Sequence, residues 1–537
     1  MTTEMLTRLE NMWRAGEFED AYALAGTELA AGSDDPLVYR IAAEARMEAR
    51  HYAAAGDLLN RALAHNPAEP EALTTLAILL HREGRPDEAV PVFGQVLHDH
   101  RNHARAWLGL ATSLAVLEAE DAAIESFGHA IAAAPNDAAP LGGVAELHFR
   151  AGRNAEALEA ARKGLALDPL HPLSSYVSGR LALSEGNADH VREQMETLLA
   201  KVRLTPPERQ MVLHLLADAQ DRLGHIPEAF DAYTKMNAVV IEQNQDRFGP
   251  GGPVEDHLAF VERLSRSYLS TPASWRSIPA GSVAPPVQRH IFVLGYPRSG
   301  TTLASSVLAA LPGVTVLEER RTLMDADFAF LKDDESVARL ANLTPQQADE
   351  QRQLYWLRVR DDAPDIDNKV LVDMAPLNSI KLPMIRKLFP DARIVVCRRD
   401  PRDVVLSCFR QNFRINASTY QMTTLEGAAR HYAAVMALLQ ANLGMTRANF
   451  FELNYESFVG DFETHVKAML IGCGLEWDPR VLDFSAEARK RTLRTASAHQ
   501  IRSGLFDGSG QWRRYEAQLE PVMPMLEPFI PTTTEIA

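Results

Sequence analysis

A six-residue turn pattern recurs every 34 residues through the first half of the chain. It reads Gly16-Glu-Phe-Glu-Asp-Ala21, Arg50-His-Tyr-Ala-Ala-Ala55, Gly84-Arg-Pro-Asp-Glu-Ala89, Glu118-Ala-Glu-Asp-Ala-Ala123 and Gly152-Arg-Asn-Ala-Glu-Ala157. Gly186 continues the series, and Gly224-His-Ile-Pro-Glu-Ala229 gives a seventh unit after a slip of four residues. A fixed period of this length implies one small supersecondary unit per repeat, stacked so that neighbours share a core. Each unit reads as a helix hairpin. Pro67, Pro135 and Pro169 stop the second helices. Ala77, Ala89, Ala111, Ala145 and Ala157 permit close helix crossing, and Leu73, Phe93 and Trp107 fill the gaps. The units at Arg50 and Glu118 lack the turn glycine and read as divergent repeats.

The period resembles that of tetratricopeptide repeats, which implies a helical solenoid over residues 1–245 with a groove suited to a peptide or partner protein. Those residues hold 21 Lys and Arg against 36 Asp and Glu, so nearly all of the chain's net charge of −16 lies there. An acidic array of this kind disfavours nucleic acid as a partner. His98, His100 and His103 fall in one inter-repeat loop without a supporting cysteine, and read as solvated loop residues and not as a metal site. Three cysteines, Cys397, Cys408 and Cys473, form no CxxC pair and suit a reducing compartment as buried thiols. The N-terminus lacks a basic start followed by an apolar core, and no stretch reaches the length of a membrane span. A cytoplasmic protein is the expectation.

From 246 to 289 the repeat pattern breaks into Phe-Gly-Pro-Gly-Gly-Pro, one helical stretch near 255–270 and four scattered prolines, Pro272, Pro279, Pro285 and Pro286. This reads as a connection with one helix. Beyond it, β-rich runs at 291–295, 314–317, 369–373, 392–397 and 449–453 alternate with helical patterns beginning near 301, 377, 401, 424 and 456. Such alternation predicts an α/β unit over 290–537 with a parallel sheet covered on both faces. Ligands of these folds bind at the carboxyl edge of the strands.

The first run enters Phe-Val-Leu-Gly-Tyr-Pro-Arg-Ser-Gly-Thr-Thr-Leu at 292–303. Gly295 and Gly300 allow a tight turn from strand to helix, and the first helical N–H groups then converge on an anion. An NTPase loop with these glycines carries Lys after the second one. Here that slot holds Thr301, which disfavours a kinase, and the cation comes earlier as Arg298. A second constellation, Arg393-Ile-Val-Val-Cys-Arg-Arg-Asp-Pro-Arg-Asp-Val-Val-Leu-Ser407, opens a run of six arginines against two aspartates between 393 and 414. Arginine suits a phosphate dianion through its paired, permanently charged donors. Arg402 reads as a partner of a neighbouring aspartate.

The loop Pro297-Arg-Ser-Gly-Thr-Thr302 resembles the 5'-phosphosulfate loop of sulfotransferases, which use the activated-sulfate nucleotide PAPS and release PAP. That resemblance spans about 290–520 and, with the repeats ahead of it, is similar to bacterial tetratricopeptide sulfotransferases. It implies cofactor contacts from Pro297, Arg298, Ser299, Gly300, Thr301 and Thr302, and a grip on the 3'-phosphate by Arg399 and Ser407. Weaker matches imply further contacts from Tyr455, after a strand, and from Ser497 and Arg502, in Arg494-Thr-Ala-Ser-Ala-His-Gln-Ile-Arg502 with Gly510-Gln-Trp512. In the tyrosylprotein branch the second glutamate of a pair such as Glu318-Glu319 is the catalytic base, so Glu319 is the expected base and Arg298 the expected charge stabiliser. No metal is expected.

One departure stands out. Relatives usually carry Asp-Lys-x-Pro where this chain reads Asp373-Met-Ala-Pro376, and a missing donor near the transferring group can cost about a hundredfold in rate. The expectation is therefore a sulfotransferase acting on a hydroxyl, with a peptide tyrosine ahead of a carbohydrate. The alternative is a weak or inactive PAP-binding scaffold whose repeats engage partner proteins.

Overall fold

The computed structural model describes residues 3–270, 272–276, 283–446, 450–490, 497–502 and 504–531. They form two compact units, residues 1–203 and 204–537.

In the first unit twelve described helices run from Thr3–Arg14 to Ala188–Lys201 as six hairpins. Every hairpin turns through a left-handed residue: Gly16, Arg50, Gly84, Glu118, Gly152 and Gly186 all have φ between 60° and 91°. Arg50 and Glu118 thus keep the turn geometry without the glycine that makes it cheap. Packing repeats with the same ruler. Phe93 lies against Gly109, and Phe127, 34 residues on, against Gly143. A β-carbon at either glycine would sit 2.3 Å from the ring, which is why these first helices carry glycine mid-element. His103 caps its helix by accepting from the Ala106 amide at 3.3 Å and lies 3.2 Å from Glu71, whereas His98 is exposed.

The second unit begins with one more hairpin, Pro206–Leu223 and Ile226–Phe248. It continues the repeat in sequence but belongs by packing to the α/β unit. The stretch at 246–289 is likewise more than a connection. Its helix His257–Ser270 and the turn Pro272–Arg276 put Val261, Leu264, Tyr268 and Trp275 into the main core, because a helix with one apolar stripe must bury it. Pro279 lies outside the described residues.

Five parallel strands follow: β1 (Arg289–Leu294), β2 (Val314–Glu318), β3 (Val370–Met374), β4 (Arg393–Arg398) and β5 (Phe450–Asn454), in the order β2-β3-β1-β4-β5. Each lies within two residues of its predicted position, and the Val- and Ile-bearing runs of β1, β3 and β4, buried on both faces, are the most legible. Alternate side chains feed two cores. Phe292, Leu294, Leu371, Ile394 and Val396 face one layer with the long helix Leu425–Thr446. Ile291, Val293, Val372, Met374, Val395 and Cys397 face the other, with Leu303 and Val307 of the helix Thr301–Ala309. All three cysteines are buried. No described helix is long and apolar enough to cross a membrane.

The chain leaves β1 toward β2 on one side and later reaches β4 on the other. The loop after β1 therefore opens at a switch point of the sheet, between the carboxyl ends of β3 and β4.

Candidate functional site

The loop is held from below and from both sides. The Gly295 amide donates to the Pro376 carbonyl at 3.2 Å, and a β-carbon on Gly295 would lie 2.7 Å from the Cys397 carbonyl. Ser299 closes the turn internally: its amide donates to the Tyr296 carbonyl at 3.1 Å and its hydroxyl to the same oxygen at 2.7 Å. This removes Ser299 from the set of free anion donors predicted from sequence. The amides of Gly300, Thr301 and Thr302 remain, at the mouth of the helix Thr301–Ala309, where Gly300 sits with φ +98° as its cap. A side chain there would also meet Tyr455 at 2.9 Å. Thr301 and Thr302 are buried at the first two helical positions.

Arg298 adopts φ +70°, an unfavourable region for any residue with a β-carbon. The strain is sustained by a dense set of bonds. Its Nε donates to Ser407 Oγ at 2.9 Å, its Nη1 to Ser497 Oγ and its Nη2 to Gln500 Oε1 at 3.3 Å. Burial, with Arg399 nearby, pulls its ionisation down to about 10, so it stays charged near neutral pH. Arg399 donates to the Arg298 carbonyl at 3.0 Å and to the Gly508 carbonyl at 2.5 Å, and its guanidinium lies 4.5 Å above the Tyr455 ring. Tyr455 in turn donates to the Phe506 carbonyl at 2.8 Å and accepts from the Gly508 amide at 3.1 Å. Pro297, Arg298, Arg399, Ser407, Tyr455 and Ser497 thus form one cluster. Cys408 joins it through its thiol, 3.5 Å from the Pro297 carbonyl.

Arg502 lies on the helix Ala498–Arg502, which packs on the loop helix. Its carbonyl accepts from Arg489 at 3.0 Å. The segment 494–496 of its motif lies outside the described residues. The C-terminal segment beyond it is latched by Asp403, which accepts from the Gly510 amide at 2.6 Å and the Trp512 amide at 2.8 Å. Arg402 pairs with Asp400 through two bonds of 2.9 and 2.6 Å and lies 3.6 Å over Trp512. Gln500 and Asp403 escaped the sequence reading. Gln500 stands one helical turn after Ser497, the spacing that could have disclosed it.

Glu319 follows β2, two strands from β1 and so roughly 10 Å across the same carboxyl edge. It too is left-handed, with φ +51°, and its amide donates to the Met374 carbonyl at 2.7 Å. The side chain reaches solvent, yet the surrounding wall of protein and then Glu318 push its carboxyl above the usual range. Three residues on, Thr322 donates to Asp373 Oδ2 at 2.7 Å, which also accepts from the Tyr355 hydroxyl at 2.9 Å. Asp373 is fully buried and pushed up to about 6 by burial, against the lowering effect of those two bonds. The strained turn bearing Glu319 is therefore pinned at two points to the end of β3.

Met374 does not face this edge. Its side chain is wholly buried in the apolar layer with Ile291, Val293 and Val372. Lys381 does not stand in for the missing lysine either, because its ammonium is paired with Asp327 at 2.7 Å.

The strained, arginine-lined loop at the sheet switch point gathers backbone amides and guanidinium groups, the donors that an anion requires. A sulfotransferase family model matches residues 290–479, and tetratricopeptide-repeat models match 46–112, 80–147 and 145–190. The chain carries tetratricopeptide repeats in its N-terminal part and a sulfotransferase family domain in its C-terminal part. It is 26% identical over 387 residues to an uncharacterized protein of Aquifex aeolicus, spanning 69% of this chain and 48% of that one. It is 30% identical over 132 residues to the cellulose synthase operon protein C of Pseudomonas fluorescens, 24% of this chain and 10% of that one. The chain thus spans less than half the length of these curated relatives. Among solved structures, a chain of the APC/C hetero-tetramer Cut9-Hcn1 aligns at 18% identity and a TM-score of 0.37, over 46% of this chain and 50% of that one. The type IV pilus biogenesis factor PilW aligns at 21% and 0.32, over 39% and 96%.

Proposed function

We propose that the second unit transfers a sulfuryl group from PAPS to an acceptor hydroxyl, with a peptide tyrosine as the first candidate and a carbohydrate as the second. The observation that carries this reading is the cluster of Arg298, Arg399, Ser407 and Ser497 around the free amides of Gly300, Thr301 and Thr302. Two kinds of donor, the loop amides and the guanidinium and hydroxyl groups beside them, fit a nucleotide phosphorylated at both 5' and 3' positions. PAPS supplies the activated sulfuryl group. The loop amides, the Thr302 hydroxyl and Arg298 hold and offset the negative charge that gathers at the 5' end. Arg399 and Ser407 hold the 3'-phosphate and so select against ATP. Glu319 takes the acceptor's proton, and a carboxyl raised in pKa is better matched to a hydroxyl than an ordinary surface glutamate.

The peptide acceptor rests on the Glu318-Glu319 pair and the loop sequence. The acidic repeats argue for a partner that is not itself strongly acidic. A reducing, cytoplasmic setting belongs to the same proposal and rests on three cysteines in no paired framework. A second reading, a PAP-binding scaffold without turnover, draws on Met374 lying in the core and Lys381 being paired, so that neither brings an ammonium to the site. Sulfur-labelled PAPS offered with tyrosine peptides and carbohydrates separates the two. Label moves in the wild type, and in Glu319→Gln turnover falls roughly 10²- to 10³-fold while PAP affinity changes less than about twofold. Label that never moves, with PAP still bound, selects the scaffold.

A further inference from the structure

The four-residue slip before Gly224 has a structural counterpart. The first helix of the seventh hairpin, Pro206–Leu223, has 18 residues, whereas its predecessor Pro172–Ser184 has 13. Both start at a proline 34 residues apart, so the insertion is one additional turn at the helix end, and Asp221 stands on it.

Asp221 is buried and fully engaged. Its Oδ1 accepts from the Tyr515 hydroxyl at 2.6 Å, and its Oδ2 from Arg410 Nη2 at 3.0 Å. Arg514 donates to its carbonyl and lies 3.4 Å from its carboxylate. Arg410 ends the helix Pro401–Arg410, which carries Asp403 and Ser407. Its guanidinium is stacked over Tyr233 and Tyr515 at 5.2 and 5.3 Å. Arg514 and Tyr515 end the strap whose Gly510 and Trp512 amides are held by Asp403 and whose Gly508 carbonyl is held by Arg399. One carboxylate on the inserted turn therefore joins the helix bearing Ser407 to the strap that closes over the arginine cluster. The rest of the hairpin reinforces the join: Phe230 packs on Phe409 at 5.1 Å, and Asn237 donates to the Phe409 carbonyl at 2.9 Å.

We propose that Asp221 is a positioning residue for nucleotide binding, and that the seventh hairpin, lengthened by one turn, is a working part of the sulfotransferase unit. Asp221 touches none of the groups assigned to the nucleotide. It acts by setting the distance between Ser407 and the strap, and so governs recognition of the 3'-phosphate. This rests on the reading that Ser407 and Arg399 hold that phosphate.

The test uses the full chain as wild type, Asp221→Asn and Tyr515→Phe. Three quantities are read: affinities for PAP and for ADP by calorimetry, amide hydrogen exchange across 504–531, and the unfolding midpoint. Loss of a charge-assisted bond predicts PAP binding weakened about tenfold in Asp221→Asn and about threefold in Tyr515→Phe. The PAP-over-ADP preference falls in proportion, and exchange is faster in the strap but not in the sheet. A merely structural role would lower the midpoint and leave the PAP-over-ADP ratio at the wild-type value, and that result overturns the proposal. If Asp221→Asn does not fold, Tyr515→Phe decides, with PAP affinity and strap exchange both at wild-type values counting against it. If the wild type binds neither nucleotide, the reading of Ser407 and Arg399 falls separately. Hydrogen exchange then still judges the latch, and an unchanged strap in both variants refutes it.

Discussion

At the scale of single residues, the two side chains assigned to chemistry share an uncommon backbone. Arg298 and Glu319 are both left-handed without being glycine, a conformation that costs about 1–2 kcal/mol and survives only where surrounding bonds over-determine it. For Arg298 those bonds run to Ser407, Ser497 and Gln500. For Glu319 they are its own amide on Met374 and the hydroxyl of Thr322 on Asp373. Met374 marks the limit of reasoning by position. In the sequence it occupies the slot of a family lysine, but its side chain is turned into the core on the opposite face from Asp373, as strand alternation requires. Met374→Lys is therefore expected to bury an ammonium among Ile291, Val293 and Val372. It should destabilise the second unit by about 2–4 kcal/mol without raising turnover, as judged by denaturant unfolding and transfer assays. A gain in turnover at unchanged stability would show that a side chain at 374 reaches the reacting groups.

At the scale of elements, the repeat hairpins keep one turn conformation whatever residue fills it. Arg50 and Glu118 take φ near 60° where the other four turns use glycine. Arg50→Gly and Glu118→Gly should each raise stability by about 0.5–1 kcal/mol, measurable as an upward shift in the unfolding midpoint of the first unit. A fall in midpoint would mean that the side chains of Arg50 and Glu118 outweigh the relief of strain. The period, the strands and the loop could all be read in advance because each follows from local pattern: a 34-residue ruler, β-branched runs, glycines at a strand-to-helix turn. The latches could not. Asp403 on the amides of Gly510 and Trp512, and Asp373 on Thr322 and Tyr355, join segments 18 to about 110 residues apart. An isolated aspartate in a sequence does not name its partner. Ser299 shows the same limit: a serine in an anion loop reads as a ligand, and its bond to the Tyr296 carbonyl, which closes the turn, is not legible in the sequence.

At the scale of the whole molecule, titration of buried groups governs stability toward acid. Burial pulls His290 down to about 3, and burial, joined by the Lys381 ammonium for His257 and by His257 for His431, holds these two well below the ordinary histidine range. These two are hydrogen-bonded to each other at 2.8 Å, and His431 also to Tyr296 of the loop at 2.7 Å. In the unfolded chain each imidazole takes up a proton near pH 6.5. Below that pH the unfolded state binds protons that the folded state refuses, so stability falls as pH falls. Asp373 acts in the opposite sense. Between about pH 4 and about 6 the folded chain keeps a proton that the unfolded chain has lost, so its contribution falls as pH rises. The raised carboxyls of Glu319, Asp403 and Glu456 act in the same sense as Asp373, but the larger histidine shifts outweigh them, and the second unit should lose roughly 3 kcal/mol between pH 6.5 and 4.5. Urea unfolding across that range checks it, and a flat or rising stability on acidification would contradict it.

The account turns on what the loop after β1 holds. Calorimetric titration of the full chain with PAP, and separately with ATP and Mg²⁺, tests that most directly. The cluster of Arg298, Arg399, Ser407 and the free amides of Gly300, Thr301 and Thr302 predicts PAP binding at micromolar affinity or tighter and ATP binding at least about a hundredfold weaker. Binding of ATP with Mg²⁺ in preference to PAP would contradict it.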